Sequence, residues 1–191
     1  MPSSGEIIWT HFPKDRAPDQ TVVKIIRAFE NNASSIDSEK FGKSGTNEDK
    51  TEFDSNFVLE QIEDDLTKID GFSVEMKDEE GEKQLLRLPV LWGDNGESIK
   101  EYRVDGWSEE ERIMLEVEAG MMIMSNKTHQ DDLIKALQIP NVKHFVIACA
   151  KVWDYHGSKK KPYERVKTDF SAFYHGNRLV LPFETITIIG F

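Results

Sequence analysis

The chain has 191 residues, of which 38% are hydrophobic and 31% are charged. This composition excludes a disordered protein and suits one compact domain, with or without a small addition. No apolar run approaches the roughly 20 residues that a membrane-spanning helix needs, and the start of the chain lacks the basic and apolar regions of a secretory signal.

Two helices are predicted in the first part of the chain. Apolar residues at helical spacing indicate a helix over residues 20–30 with Asp19 as its N-cap, and another over residues 55–69 capped by Asp54 or Ser55. The segment between them is polar, without a period, and is typical of a long mobile loop. We therefore expect residues 1–54 to form an N-terminal helix and a mobile polar loop, and residues 55–191 to form the core of one compact domain.

Strands and helices alternate in the predicted core. Hydrophobic patterns predict strands over residues 72–76, 85–92, 99–105, 112–118, 142–153, 178–183 and 185–191, and helices over residues 126–137 and 163–175. Because of Pro89, the second of these segments is an edge strand or an extended connection. The third and fourth strands are predicted to pair as a hairpin. This order predicts an α/β (α+β) fold in which helices flank a central sheet.

The segment RVDGWSEEERIMLEVEAG contains the one pattern in the chain that suggests chemistry. Asp105 ends one strand of the predicted hairpin. Glu116 and Glu118 lie two residues apart on the next strand, so both project from one face while Val117 projects from the apolar other face. Antiparallel pairing brings Asp105 toward Glu116, and carboxylates that close need protons or a cation; their oxygens suit Mg²⁺ or Mn²⁺. In a chain with 35 acidic residues, a half-exposed strand without any function also produces this alternation.

The pattern resembles the PD-(D/E)XK superfamily of restriction-endonuclease-like folds. In that superfamily an acidic residue precedes a hairpin turn, (D/E)-X-K lies on the next strand, and a helix and a further strand follow. Asp105 and Glu116 occupy the two acidic positions, and Glu118 stands where lysine is usual, as in the BamHI/BglII-like branch of type II restriction enzymes. The blocks LPVLWGDNG, RVDG, LEVEAG and LPFETITIIG carry the resemblance over residues 59–191.

The resemblance implies a restriction-endonuclease-like central mixed sheet and a Mg²⁺-dependent DNA endonuclease. Asp105 and Glu116 would hold Mg²⁺ or Mn²⁺, and Glu118 would act as general base. Lys127, at the start of the following helix, is a candidate for the missing lysine. Glu63 matches an additional acid that this fold often takes from its first core helix, although a solvated surface glutamate explains it as well.

Basic residues near the C-terminus are candidates for contacts with a DNA backbone: Lys159, Lys160, Lys161 and Arg165. The net charge of −11 argues against a nucleic-acid partner, but it is unevenly distributed. Residues 1–118 carry a net charge of −15, and residues 119–191 carry +4. A solvated basic loop explains the lysines equally well.

Three functions remain open at this stage. The first is a hydrolase that binds double-stranded DNA as a homodimer, because palindromic cleavage needs two sites. The second is a non-catalytic binding or assembly module with the same fold and a vestigial site. The third is an α/β protein with no nuclease kinship, which a wide separation of Asp105 from Glu116 would favour. The single cysteine, Cys149, lies in an apolar run, so we expect a reducing, cytoplasmic location and no membrane partner.

Overall fold

The structure is a computed structural model and describes residues 5–43, 53–77, 83–120, 128–176 and 180–191. The helices in this part of the chain are α1 (Gln20–Asn31), α2 (Ser38–Phe41), α3 (Ser55–Leu66), α4 (Thr128–Gln138) and α5 (Pro162–Gly176). The strands are β1 (Ile8–Phe12), β2 (Phe72–Val74), β3 (Met76–Lys77), β4 (Lys83–Gln84), β5 (Leu86–Trp92), β6 (Ser98–Val104), β7 (Gly106–Ser108), β8 (Ile113–Glu118), β9 (His144–Cys149), β10 (Trp153–Tyr155), β11 (Ser158–Lys160) and β12 (Thr185–Gly190). The prediction of a central sheet flanked by helices is confirmed.

The central sheet has six strands in the order β1-β12-β9-β8-β7-β2. Strand β9 runs parallel to both β8 and β12, and the remaining pairs are antiparallel, so the sheet is mixed. As predicted, β9 is buried along its whole length, because helices cover both faces of the sheet at this point. Because β8, β9 and β12 run in the same direction, their carboxyl ends lie side by side at one edge of the sheet, the carboxyl edge.

Alternate residues of β8 face two separate cores. Ile113, Leu115 and Val117 pack with α1 and α3 on one face, whereas Met114 packs with α4 and α5 on the other. Because side chains alternate along a strand, Glu116 and Glu118 also face α4 and α5. The sequence prediction that Val117 points away from the two glutamates is confirmed.

Side-chain caps begin the two helices predicted in the first part of the chain. Asp19 accepts a hydrogen bond from the backbone N–H of Thr21 at 2.7 Å. Asp54 accepts one from that of Phe57 at 2.9 Å, which identifies Asp54 rather than Ser55 as the cap of α3. In each case a carboxylate satisfies an N–H group that has no partner within the helix.

The structure differs from the prediction before α3. Residues 36–41 belong to the predicted mobile loop, yet Ile36 is fully buried and α2 follows it with Asp37 as N-cap. Strand β1, which was not predicted, pairs with β12 at the edge of the central sheet, and α1 packs in the same core as α3. The first helix and the first strand are thus integrated with the later elements.

The hairpin pairing predicted for residues 99–105 and 112–118 is wrong. Strand β6 pairs instead with β5 in a separate two-stranded sheet. The chain leaves that sheet at Asp105, and the next three residues form β7, which pairs with β8. The predicted strand over residues 142–153 is also divided, since β9 ends at Cys149 and β10 begins at Trp153. No strand occupies residues 180–183, where the end of a strand was predicted.

Within the described residues, none of the helices combines the length and the apolar character needed to cross a membrane.

Candidate active site

Asp105, just before β7, lies beside Glu116 near the carboxyl end of β8. Gly106 pairs with Leu115, and the antiparallel register places the residue before the one, Asp105, opposite the residue after the other, Glu116. The Oδ2 atom of Asp105 accepts a hydrogen bond from the backbone N–H of Val117 at 2.8 Å. The two acids that the sequence analysis selected are therefore adjacent, and the wide separation that would favour a protein with no nuclease kinship is not observed.

Glu118 extends this acidic group along β8 to the carboxyl edge of the sheet. Glu116 is 3% exposed, whereas Glu118, at the end of the strand and paired in register with Cys149, is only partly buried. Both side chains face the side of the sheet that α4 covers. Burying a carboxylate is costly unless a cation or hydrogen-bond donors compensate its charge.

Helix α4 supplies the compensating charge and one more acid. The Lys135 Nζ atom lies 2.8 Å from Glu116 Oε2 and 3.2 Å from Asp132 Oδ1. Asp132 is 4% exposed and precedes Lys135 by three residues, so both project from one face of the helix. Neither residue was predicted from the sequence. The predicted candidate for the missing lysine was Lys127, which lies outside the described residues.

Burial dominates the electrostatics of the four carboxyl groups. It raises the pKa of Asp105 and raises that of Glu116 well above its usual range, with Asp105 and Asp132 adding repulsion at Glu116. Burial and the charges of Asp132 and Asp105 raise the pKa of Glu118 to about 8. Burial raises the pKa of Asp132 to about 6, against the opposing effect of Lys135.

Lys135 remains a cation in this environment. Burial lowers its pKa, but the charges of Glu116 and Asp132 outweigh that effect, so the pKa is raised overall. One ammonium group thus stands among four carboxyl groups. Burial is the main reason why the pKa values of all four acids are raised, and the repulsion between neighbouring carboxylates adds to it.

Two buried oxygens of the group have no hydrogen-bond partner among the residues that the structure describes. They are Glu116 Oε1 and Asp132 Oδ2, and the other oxygen of each carboxylate contacts Lys135. Buried polar atoms nearly always have a partner, and bare carboxylate oxygens are the ligands that Mg²⁺ and Mn²⁺ prefer. The donor chemistry therefore suits a divalent cation. Even so, the described residues contain no group of three or more acids, histidines or cysteines already arranged to hold a metal ion.

A second ion pair, between an exposed arginine and a buried glutamate, borders the site. Arg103, on β6, donates two hydrogen bonds to the carboxylate of Glu75, whose backbone N–H donates to the carbonyl of Asp105 at 2.9 Å. Glu75 is the main cause of the raised pKa of Arg103, and Asp105 and Glu116 add to it. The pair fixes the point at which the chain passes from the β5–β6 hairpin into β7, and so fixes the backbone at Asp105.

The structure does not join Glu63 to this group. Glu63 belongs to α3, whose buried residues Val58, Ile62 and Leu66 pack on the opposite face of the sheet from Glu116. Its side chain is partly buried. The additional acid near Glu116 comes instead from α4, as Asp132.

The basic candidates lie close to the same edge of the sheet. Lys159 and Lys160 are exposed on β11, and Lys161 and Arg165 are exposed at the start of α5. The β10–β11 hairpin follows the carboxyl end of β9, and Trp153 at its start packs against Gly120, two residues after Glu118. Lys151 differs from this group because it is buried and donates a hydrogen bond to the carbonyl of Glu6 at 2.7 Å.

No family model, curated protein or solved structure matches this chain. The inferences about function that follow therefore depend on the residues and their geometry.

Proposed function

We propose that this chain is a Mg²⁺-dependent or Mn²⁺-dependent endonuclease with a restriction-endonuclease-like fold, which hydrolyses phosphodiester bonds in double-stranded DNA. The observation that carries the proposal is the meeting of Asp105 and Glu116, from adjacent strands, in a buried acidic group that retains bare oxygen atoms. Such a group has more negative charge than its one lysine neutralises, and a divalent cation supplies what is missing.

The order of the elements supports the proposal. Helix α3 is followed by β2, β7 and β8 as three antiparallel neighbours, then by α4, and then by β9 parallel to β8. The resemblance implies this arrangement: an acid before a hairpin turn, a second acid on the next strand, and then a helix and a strand.

Each residue of the group has a role in the proposed reaction. Asp105 and Glu116 hold the divalent cation, which supplies an activated water and neutralises charge at the scissile phosphate. Glu118, on the same face as Glu116 and nearer to solvent, accepts the proton of the attacking water. Lys135, rather than Lys127, supplies the positive group that is absent from the third motif position.

The proposed substrate agrees with the charge distribution around the site. The exposed basic residues of β11 and α5 follow β10, which starts beside Gly120, just after the end of β8 at Glu118. Lysine and arginine contacts to phosphates supply most of the affinity for DNA without regard to sequence. Cleavage of both strands of a palindromic site needs two copies of the acidic group, so we propose a homodimer as the active form.

A plasmid-cleavage assay tests the proposal. We expect nicking and linearisation by the wild type with Mg²⁺ or Mn²⁺, and loss of about two orders of magnitude in rate in Glu116→Gln and Asp105→Asn, because each removes a metal-binding charge. Glu111→Gln is the matched control, since Glu111 is an exposed acid in the turn before β8. Cleavage at equal rates by the wild type and Glu116→Gln would rule out the proposal.

The alternative is a non-catalytic module that has the same fold and a vestigial site. One observation favours it: Lys135 already neutralises Glu116, and no three acids of the described chain are arranged for a metal ion. Calorimetry with Mn²⁺ separates the two. A vestigial site gives no saturable binding, whereas an active one gives binding that Asp105→Asn removes.

A further inference from the structure

Glu116 and Asp132 share a single cation although they come from different elements. Glu116 lies on β8 and Asp132 on α4, and each directs one oxygen to Lys135 Nζ, at 2.8 Å and 3.2 Å. Each also has a buried second oxygen for which the described part of the chain supplies no partner. The two side chains together therefore form a cation-binding pair whose present occupant is an ammonium group of the same chain.

The three side chains differ in their access to solvent. The side chain of Lys135 is 21% exposed, compared with 4% for Glu116 and 6% for Asp132. A lysine has a flexible four-carbon stem and one compact charge, so its ammonium group can move to solvent without movement of the backbone. The acids are short and enclosed, and they remain where the strand and the helix hold them.

Helix α4 is anchored independently of this ion pair. Leu133 and Ala136 pack in the core between the helix and the sheet. His129 Nε2 lies 2.7 Å from Asp169 Oδ2 on α5, which ties the start of α4 to its neighbour. Asp132 therefore keeps its place beside Glu116 when the lysine leaves.

We propose that Asp132 is a metal ligand of this site and that Lys135 is a tethered counter-ion, which a divalent cation displaces from Glu116 and Asp132. In the metal-free protein, Lys135 compensates the charges of the two acids. On loading, Glu116 and Asp132 hold Mg²⁺ or Mn²⁺, and the ammonium group becomes free to contact a phosphate. This inference rests on the metal site of the proposed function and adds Asp132 to it.

Replacement of Lys135 tests whether a divalent cation displaces its ammonium group from Glu116 and Asp132. Mn²⁺ affinity is measured by calorimetry on the purified full chain for the wild type, Lys135→Met and the double variant Lys135→Met/Asp132→Asn. We expect Lys135→Met to bind Mn²⁺ at least about tenfold more tightly than the wild type, because a competing positive charge has been removed from the pair. The added Asp132→Asn change is expected to abolish that gain.

Two matched controls exclude a general effect of net charge. Lys100→Met removes an exposed lysine that contacts Gln138 at the end of α4. Asp131→Asn removes an exposed acid next to Asp132 on the same helix. Neither change should alter Mn²⁺ affinity by more than about twofold, because solvent screens exposed charges.

The outcomes separate this inference from the proposed function. Mn²⁺ binding by the wild type that Asp105→Asn removes, with no gain in Lys135→Met, supports the metal site and overturns the exchange. A gain that persists in the double variant overturns the assignment of Asp132. Absence of Mn²⁺ binding in every variant overturns both proposals. If Lys135→Met does not fold, Asp132→Asn alone decides, since unchanged Mn²⁺ affinity in that variant overturns the inference.

Discussion

Lys135 compensates two buried acids at once, because its Nζ atom lies 2.8 Å from Glu116 Oε2 and 3.2 Å from Asp132 Oδ1. Removal of one partner from a buried ion pair leaves an uncompensated charge and typically costs about 3 kcal/mol or more. We expect Lys135→Met to lower the free energy of unfolding of the metal-free protein by about that amount. Urea unfolding in the presence of a chelator measures it.

A double-mutant cycle identifies the cause of that loss. Glu116→Gln removes the charge that Lys135 compensates, so we expect Glu116→Gln/Lys135→Met to recover part of the stability lost in Lys135→Met. Lys100→Met should stay within about 0.5 kcal/mol of the wild type, as is usual for an exposed position. Additive losses in the double variant would show that Lys135 acts through packing and not through its charge.

The sequence predicted the strand residues of the site but not its helix residues, for a physical reason. Glu116 and Glu118 could be predicted because a period of two in a short strand defines which side chains share a face. Asp132 and Lys135 flank the apolar stripe of α4, and polar residues at such positions are solvated in most helices. Here α4 packs over the part of β8 that carries Glu116, which buries Asp132 and partly buries Lys135. No pattern in the helix sequence itself indicates this contact with a distant strand.

At the scale of elements, the hairpin was predicted with the wrong partner strand for a related reason. The strand pattern of residues 99–105 does not reveal that pairing changes at Asp105 from β5 to β8. Alternation specifies which side chains share a face but not which strand lies alongside. Strand β1 was missed because its partner, β12, lies at the other end of the chain. The cap and the apolar stripe of α1 are local, and they were predicted correctly.

Two buried histidines make the edge of the central sheet sensitive to acid. His11 Nδ1 lies 2.9 Å from Thr187 Oγ1, and His144 Nδ1 lies 2.7 Å from Thr185 Oγ1, so both rings are held between neighbouring strands. Burial lowers the pKa of both histidines below 6.5, and the charges of Lys14 and His144 add to the effect at His11. The folded protein therefore resists protonation that the unfolded chain accepts.

The sign of the pH dependence follows from proton binding. Below pH 6.5 the unfolded chain binds more protons than the folded one, so stability falls as the pH falls toward the lowered pKa values. Each histidine contributes a slope of at most about 1.4 kcal/mol per pH unit. We expect His144→Gln to reduce this slope in urea unfolding between pH 6.5 and 5, and we expect His175→Gln, at an exposed position of α5, to leave it unchanged. Equal slopes in His144→Gln and the wild type would contradict the assignment.

At the scale of the whole molecule, the charges are separated in a way that suits a polyanionic partner. The chain has a net charge of −11, yet exposed lysines lie beside the sheet edge where the acidic group is found. A protein that bound DNA through its general charge would show the opposite sign. The proposed binding to DNA would therefore be confined to one surface, and the residues available for it in the described part of this edge include Lys159, Lys160 and Lys161.

A triple substitution of these lysines by glutamine tests that surface. All three are exposed, so the variant should fold with unchanged stability. We expect weaker binding to a duplex in the presence of Ca²⁺, and a plot of log K against log salt whose slope is lower by about 2 to 3, because each lost phosphate contact removes about 0.9. Fluorescence anisotropy at several salt concentrations measures both quantities.

The matched control for this experiment lies on α1 and directly after α3, helices that pack on the face of the sheet opposite to Glu116. Lys24 and Arg27 on α1 and Lys68 after α3 are also exposed, and their replacement by glutamine removes the same charge from the chain. Because screening confines electrostatic effects to about 10 Å at 0.1 M salt, this control should bind the duplex as the wild type does. If both triple variants lose affinity equally, the interaction depends on net charge alone, and the lysines after β10 have no special role. If only the Lys159, Lys160 and Lys161 variant loses affinity, the duplex lies across the edge at which β8 ends with Glu118, as the proposed cleavage requires.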